Sequence, residues 1–240
     1  YSDIYEFNLA TEEKRRVTRD QRASAPVYAP DGSTFVFVGQ RDGTSNLLRA
    51  DLDGTDVEQL TDLPGGGQVT DPAWHPSGEW IYFGRTAHTG RDIYRIRPDG
   101  SELEPVVDGP GDERTPSITP DGAHLYFSSN RSGIFNVYRA PADGGSSEPV
   151  TNVLGGAFMP TVNKRGDLIY SLFEASGYQL ARIGSAGAEE VVPAEMAYQA
   201  PSVVRDKGTP AGTGAEMAAL ADVNDSGIEQ LGGEVLAAVD

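Results

Sequence analysis

A proline that returns at a nearly constant interval constrains this chain more than any other feature. Pro26, Pro72, Pro116, Pro160 and Pro201 stand 46, 44, 44 and 41 residues apart. Four residues after each of the first three comes a second proline, Pro30, Pro76 and Pro120. Two residues further on comes a glycine, Gly32, Gly78 and Gly122. The fourth copy keeps Gly166 but loses the proline, reading Asn163–Lys164–Arg165–Gly166. A period of about 44 residues made of short strands is the pattern of blades repeated around an axis.

Each unit divides into four strands, A to D. In the third unit Ser117–Thr119 is A, Ala123–Ser128 is B, Phe135–Arg139 is C and Glu148–Thr151 is D. The A–B turn is Pro120–Asp121–Gly122, where proline presets φ and glycine supplies a positive φ. The C–D hairpins are Asp53–Gly54, Asp99–Gly100 and Asp143–Gly144, the strongest short hairpin signal. Strand B is apolar at consecutive positions, Phe35 to Val38 and Ile81 to Phe83, so both of its faces must be covered. One sheet cannot do that alone, which is why the units come in series.

The expected fold is therefore all-β, a β-propeller of four-stranded antiparallel blades spanning residues 1–205. It holds four full blades and two partial ones. Ile4–Leu9 and Lys14–Thr18 match strands C and D, and Pro201–Val204 matches strand A. Residues 206–240 read as a linker followed by helical segments, Ala215–Val223 and Ile228–Val239, or as an insertion before a later strand. The start within a strand, without an initiator Met, is read as that of a segment from a longer chain.

Net charge narrows the partners. Asp and Glu number 36 against 19 Lys and Arg, giving −17. Such a chain is repelled by phosphate backbones and anionic lipid, so no nucleic-acid partner is expected. Only Lys14, Lys164 and Lys207 are lysine, and an acidic, lysine-poor surface also fits a salt-adapted organism. With no cysteine there is no disulfide and no thiolate metal site. No apolar run is long enough to insert into a membrane.

Motifs for chemistry are missing. There is no Gly-x-Ser-x-Gly elbow and no His-Glu-x-x-His. Gly65–Gly66–Gly67 runs into Gln68–Val69 rather than Lys-Ser/Thr, so it is no phosphate loop. His75 and His124 belong to A–B turns and His88 to a B–C loop, at opposite ends of the blades, so they share no metal. Asp222 to Gly227 has oxygens at positions 1, 3 and 5 of a calcium loop. Its twelfth position is Gly233 rather than Glu, so it reads as a turn between helices. No catalytic residue, metal or cofactor is expected.

Recurring residues are assigned to the fold. The turn aspartates belong there, and Arg41 and Arg131 are expected to bond between blades. Function is expected where the repeat fails, in the D–A connections Arg19–Ala25, Asp62–Asp71, Asp108–Thr115 and Asn152–Met159. These share one face with the B–C links, and varied loops on a rigid scaffold are where recognition concentrates. The candidates for partner binding are Arg22, Gln68, Asp71, Asp112, Arg114, Phe158 and Met159.

Ala29–Pro30–Asp31–Gly32, Ser128 to Gly133, Asp92–Ile93–Tyr94, Asp51 to Gly54 and Leu60–Thr61 together resemble the PD40, or WD40-like, repeat of the TolB type. The resemblance covers roughly residues 1–205 and implies a propeller of six or more blades. Repeats of this type occur in a periplasmic Tol–Pal component that contacts a lipoprotein, in the propellers of prolyl-oligopeptidase-like hydrolases and in envelope proteins. The resemblance thus implies a binding platform for a protein or peptide, in the periplasm or cell envelope. Its alternative is the accessory propeller of a hydrolase whose catalytic domain lies outside this segment.

Overall fold

The computed structural model describes residues 2–63, 66–87, 90–185 and 191–193. They form eighteen strands, and no helix occurs among the described residues. β1 (Tyr5–Phe7) and β2 (Lys14–Arg16) make a two-stranded half-blade. Blade 1 is β3 (Ser24–Tyr28), β4 (Thr34–Arg41), β5 (Thr44–Asp51) and β6 (Glu58–Gln59). Blade 2 is β7 (Gln68–Trp74), β8 (Ile81–Ala87), β9 (Gly90–Ile96) and β10 (Glu104–Val107). Blade 3 is β11 (Glu113–Ile118), β12 (His124–Ser129), β13 (Asn136–Pro141) and β14 (Glu148–Pro149). Blade 4 is β15 (Gly156–Val162), β16 (Leu168–Glu174), β17 (Gly177–Ile183) and β18 (Val191–Pro193). Within every blade neighbouring strands are antiparallel, and one parallel bridge, Ser45 to Gln68, joins blades 1 and 2. The half-blade and four full blades match the expectation. The strand at Pro201–Val204, the segment 206–240 and the Asp222–Gly227 loop lie outside the described residues.

Strand B explains why the blades stack. In β4, Phe35 and Phe37 pack with Val17, Ala23, Leu48 and Ala50 toward the half-blade. Val36 and Val38 point the other way, to Leu47, Val69, Ile81 and Phe83 at the junction with blade 2. Tyr82 and Ile93 then meet Leu125, Phe127 and Tyr138 of blade 3. Burying each large side chain is worth about 1.5–3 kcal/mol, so the stacked faces dominate stability. Leu47, Ile93 and Val137 are fully buried, whereas Leu180, at the same place in blade 4, is 41% exposed because no described sheet covers that face.

A second device repeats on the blades, and in the half-blade and blades 1 and 2 it also reaches the next blade. Arg49, Arg95 and Arg139 on strand C each pair with a glutamate nine residues on, Glu58, Glu104 and Glu148. Arg49 also donates to the carbonyl of Pro98 (2.7 Å), and Arg95 to Asp143 (2.8 Å), in both cases in the next blade's C–D hairpin. Arg15 of the half-blade reaches the Leu52 carbonyl in the same way. The inter-blade arginines are therefore not the expected Arg41 and Arg131. Arg131 bonds inside its own blade, to Glu113, Ser129 and Ser147, and Arg41 is exposed.

The A–B turns have the expected glycine geometry, with φ between +69° and +82° at Gly32, Gly78, Gly122 and Gly166. Asp31 and Asp121 accept hydrogen bonds from the backbone two residues on and from a nearby hydroxyl, which holds both carboxyls below their ordinary range. His75 is a structural part of this end. The Ser77 backbone N–H donates to its Nδ1, leaving Nε2–H to donate to the Gly122 carbonyl of blade 3 (3.1 Å). His88 is outside the described residues, and no group able to hold a metal ion occurs among those described.

Candidate functional site: the leading ends of the first strands

Strand A begins earlier than the sequence suggests. β7, β11 and β15 start at Gln68, Glu113 and Gly156, several residues before their prolines, so most of the candidates lie on strands rather than in loops. Each strand A then slips register at one place: between Ser24 and Val27, Thr70 and Ala73, Arg114 and Ser117, and Phe158 and Thr161. The residue before the proline is left-handed in all four blades, with φ of 49° at Ala25, 51° at Asp71, 51° at Thr115 and 53° at Met159. That is a β-bulge, which bends the strand and re-aims its side chains. A non-glycine residue in this region is strained, and such strain gathers at functional sites.

The bulge puts the candidates in phase. Arg22, Gln68, Asp112 and Gly156 stand four residues before the proline. Ser24, Thr70, Arg114 and Phe158 stand two before, and Ala25, Asp71, Thr115 and Met159 one before. One backbone position thus carries a cation, an amide, an anion or no side chain in successive blades. The first strands of successive blades lie against one another, which sets these positions side by side.

The three described junctions between full blades are closed differently. Between blades 1 and 2, Gln68 is fully used. It accepts from Ser45 Oγ (2.7 Å) and donates to the carbonyls of Gly43 and Gly66. Between blades 3 and 4 the seal is apolar. Phe158 packs on Phe135 with ring centroids 5.1 Å apart, and the Ala157 N–H bonds the Phe135 carbonyl (2.8 Å).

Between blades 2 and 3 the polar groups do not satisfy one another. Arg91 lies 3.8 Å from Asp112 and 3.9 Å from Asp71, both beyond hydrogen-bond length. Arg91 Nε, Asp112 Oδ1 and Thr70 Oγ1 are buried atoms without a hydrogen-bond partner. Asp112 turns its other oxygen to Arg114, a pairing that, ahead of the desolvation opposing it, raises the Arg114 pKa. Arg114 in turn lies over the Phe135 ring at 4.8 Å. Beside them is Glu113, fully buried where the other blades have Ala23, Val69 and Ala157. It holds Arg131 through Oε1 (2.8 Å) and leaves Oε2 without a partner.

Four candidates therefore form one continuous band, Asp71, Asp112, Arg114 and Phe158, linked by Arg91 and Phe135. Met159 is next to Phe158 and 65% exposed. Gln68 is a clasp between blades. Arg22 is exposed, with φ 47°, ahead of β3. Sequence reasoning missed Arg91, Glu113 and Phe135. Arg91, and Phe135 immediately before β13, stand at the position that holds Ser45 in blade 1 and Tyr178 in blade 4, and the substitution at that position was the available signal. Tyr178 is 70% exposed on the uncovered face of blade 4, so its exposure reflects stacking.

Comparisons with known proteins agree with this architecture. The family described as TolB beta propeller domain, PD40, matches residues 1–109 and 66–206, and the chain belongs to it. An uncharacterized protein of Agrobacterium fabrum is 35% identical over 81 residues, covering 34% of this chain and 27% of its own length. The uncharacterized peptidase YuxL of Bacillus subtilis is 33% identical over 89 residues, 36% of this chain and 13% of the peptidase. The matched regions thus span well under a third of either relative. Among solved structures, one assigned as TolB from Agrobacterium tumefaciens superposes with a TM-score of 0.70 at 20% identity, covering 79% of this chain and 72% of that one. A puromycin-hydrolyzing peptidase of Mycobacterium tuberculosis gives 0.63 at 17% identity, covering 82% of this chain and 35% of the peptidase. At these identities the structural likenesses establish the propeller fold alone.

Proposed function

We propose that the chain is a non-catalytic binding platform that engages a protein or peptide across the leading ends of its first strands. The observation that carries this reading is the bulge column, where one strained backbone position recurs in four blades while its side chains change from Ala to Asp, Thr and Met. A framework residue would recur, as Gly122 and its counterparts do. The opposite end has an open cleft of about 540 Å³ beside Pro30, Trp74, Pro76 and Pro98. Its guanidinium, Arg49, is already bonded to the Pro98 carbonyl and Glu58. A periplasmic or envelope setting follows the likeness to TolB and is checked by fractionating the source cells.

Site-specific photo-crosslinking tests the platform. A benzoylphenylalanine at Met159 should trap a defined partner in the source organism, and one at Asp53 should not. Equal trapping at both positions, or at neither, contradicts the proposal. The second reading, an accessory propeller of a hydrolase, is favoured by the similarity to the Bacillus subtilis peptidase. Labelling the full-length gene product with a fluorophosphonate distinguishes it, since label on a serine outside residues 1–240 supports the hydrolase.

A further inference from the structure

The open cleft between blades 1 and 2 lies where the repeat omits a ring. The second residue after each turn glycine is Thr34, Trp80, His124 and Leu168 in blades 1 to 4. Trp80 packs onto the apolar cluster shared by blades 2 and 3. The Arg95 and Arg97 guanidinium groups lie 4.2 and 3.9 Å from its ring. Arg95 makes its bonds to Glu104 and Asp143 through N–H groups in the guanidinium plane, so its flat face is still open to the indole. In blade 1 the counterparts of Trp80, Tyr82 and Arg95 are Thr34, Val36 and Arg49. Arg49 has matching in-plane bonds, to Glu58 and the Pro98 carbonyl. Thr34 is too short to cover it, and the Arg49 side chain is 32% exposed against 12% for Arg95. The resulting cleft of about 540 Å³ is lined by Pro30, Thr34, Arg49, Trp74, Pro76 and Pro98, a size within the range of ligand sites. Trp74 Nε1–H donates to the Val27 carbonyl (3.2 Å), which fixes an indole as one wall. Blade 4 has Val162 where blade 2 has Trp74, so the exposed Arg139 of blade 3 has no such wall beside it.

We infer that this cleft binds a tryptophan side chain presented by a protein segment, its ring stacked on Arg49 beside Trp74 as Trp80 stacks on Arg95. A flat guanidinium and a fixed indole both favour an aromatic ring over an aliphatic side chain. One indole fills only part of the cleft, which leaves room for the chain that carries it. The site is separate from the platform at the leading ends. The turn residues keep their place in the frame, and the binding space is what Thr34, a departure from the repeat, leaves open.

The probe is acetyl-Gly-Trp-Gly-methylamide, titrated into the isotopically labelled 240-residue chain and followed by NMR. Shifts are expected at Thr34, Arg49 Nε–H and the Trp74 indole N–H, and not at Phe158 or Met159. Acetyl-Gly-Leu-Gly-methylamide and free indole should each bind about tenfold more weakly. Thr34→Trp supplies the missing ring from within the chain and should also weaken binding about tenfold. Arg49→Lys keeps the charge and loses the flat face, so it should weaken binding about fivefold, while Arg139→Lys should leave it unchanged. Thermal melts of each variant establish that it is folded. No shifts at about 10 mM peptide, a range where even weak fragment binding is visible, would overturn the inference. So would equal affinity for the leucine peptide, which would make the cleft a general apolar trough. Equal affinity for free indole would overturn it too, since the ligand would then be a small molecule. Unchanged binding in folded Thr34→Trp or folded Arg49→Lys would do the same. Phe158 and Met159 take no part, so photo-crosslinking at Met159 tests the platform and this titration tests the cleft.

Discussion

The two ends of strand A are built from the same repeat and do opposite things. At the turn end, residue identity recurs along with geometry. Gly32, Gly78, Gly122 and Gly166 share a positive φ, and Asp31 and Asp121 accept from the backbone two residues later. At the leading end only the geometry recurs. Ala25, Asp71, Thr115 and Met159 share one left-handed φ, yet no two are alike. Where the chain must turn, one side chain is best and repetition follows. Where the bulge fixes the backbone, no single side chain is required, and junction-closing residues such as Gln68 and Phe158 stand beside an exposed one, Met159.

The sharpest way to break this contrast is at the turn. Gly122→Val places a β-branched residue at φ +76° with its Cβ 2.7 Å from the His75 ring. A loss of roughly 2–4 kcal/mol is expected by denaturant unfolding. A loss below about 0.5 kcal/mol, the ordinary surface range, would mean that the turn end is as permissive as the leading end.

Arg95→Met probes the fixed end from the blade rim. It removes the bonds to Glu104, Asp143 and the Tyr82 hydroxyl and the guanidinium cover over Trp80. Hydrogen bonds to the charged group, which burial leaves 12% exposed, put the expected cost at roughly 1–3 kcal/mol.

Tyr170 lies between the two ends and reports on the core alone. Burial pushes its hydroxyl up to about 12, from an ordinary 10, and that hydroxyl has no hydrogen-bond partner. A raised folded-state value favours the neutral form. That contribution is complete below pH 10 and is lost as the pH rises through 12, a span of about 2–3 kcal/mol. Tyr170→Phe should flatten the alkaline limb of a pH-dependent melt and be neutral or slightly stabilising at pH 7.

The smallest effect is at the bulge. Ala25→Gly relieves the left-handed strain at φ 49° while adding chain entropy to the unfolded state, for a net gain of about 0.5 kcal/mol in calorimetry. A loss instead would show that the bulge is not strained.

Much of the fold was legible because turns impose residue types. The Pro-Asp-Gly spacing and the Asp-Gly hairpins placed the half-blade and four blades. The start of strand A was not legible. A residue before proline prefers extended backbone, so nothing in Ala25–Pro26 or Met159–Pro160 announces a left-handed bulge. Loop residues and strand residues were therefore divided at the wrong place. The inter-blade arginines Arg49 and Arg95 were visible in a spacing they share with Arg139, Arg-x-x-x-Asp-Gly-x-x-x-Glu. Arg41 and Arg131 drew that role instead because they recur beside glycines. Asp71, Asp112, Arg114 and Phe158 stand out as departures from the repeat, and only the folded chain joins them through Arg91 and Phe135.

The central claim is that side chains at the leading end serve a partner while those at the turn end serve the fold. Two triple variants compare them directly: Asp71→Ala/Arg114→Ala/Met159→Ala, and Asp31→Ala/Asp53→Ala/Asp99→Ala. The measurement is affinity for the partner trapped at Met159, made beside a thermal melt of each protein. The account predicts that the first triple variant loses binding at least tenfold and keeps a cooperative melt, while the second melts lower and binds as before. A first variant that binds with unchanged affinity, or a second that loses binding while its melt is unaltered, would contradict it.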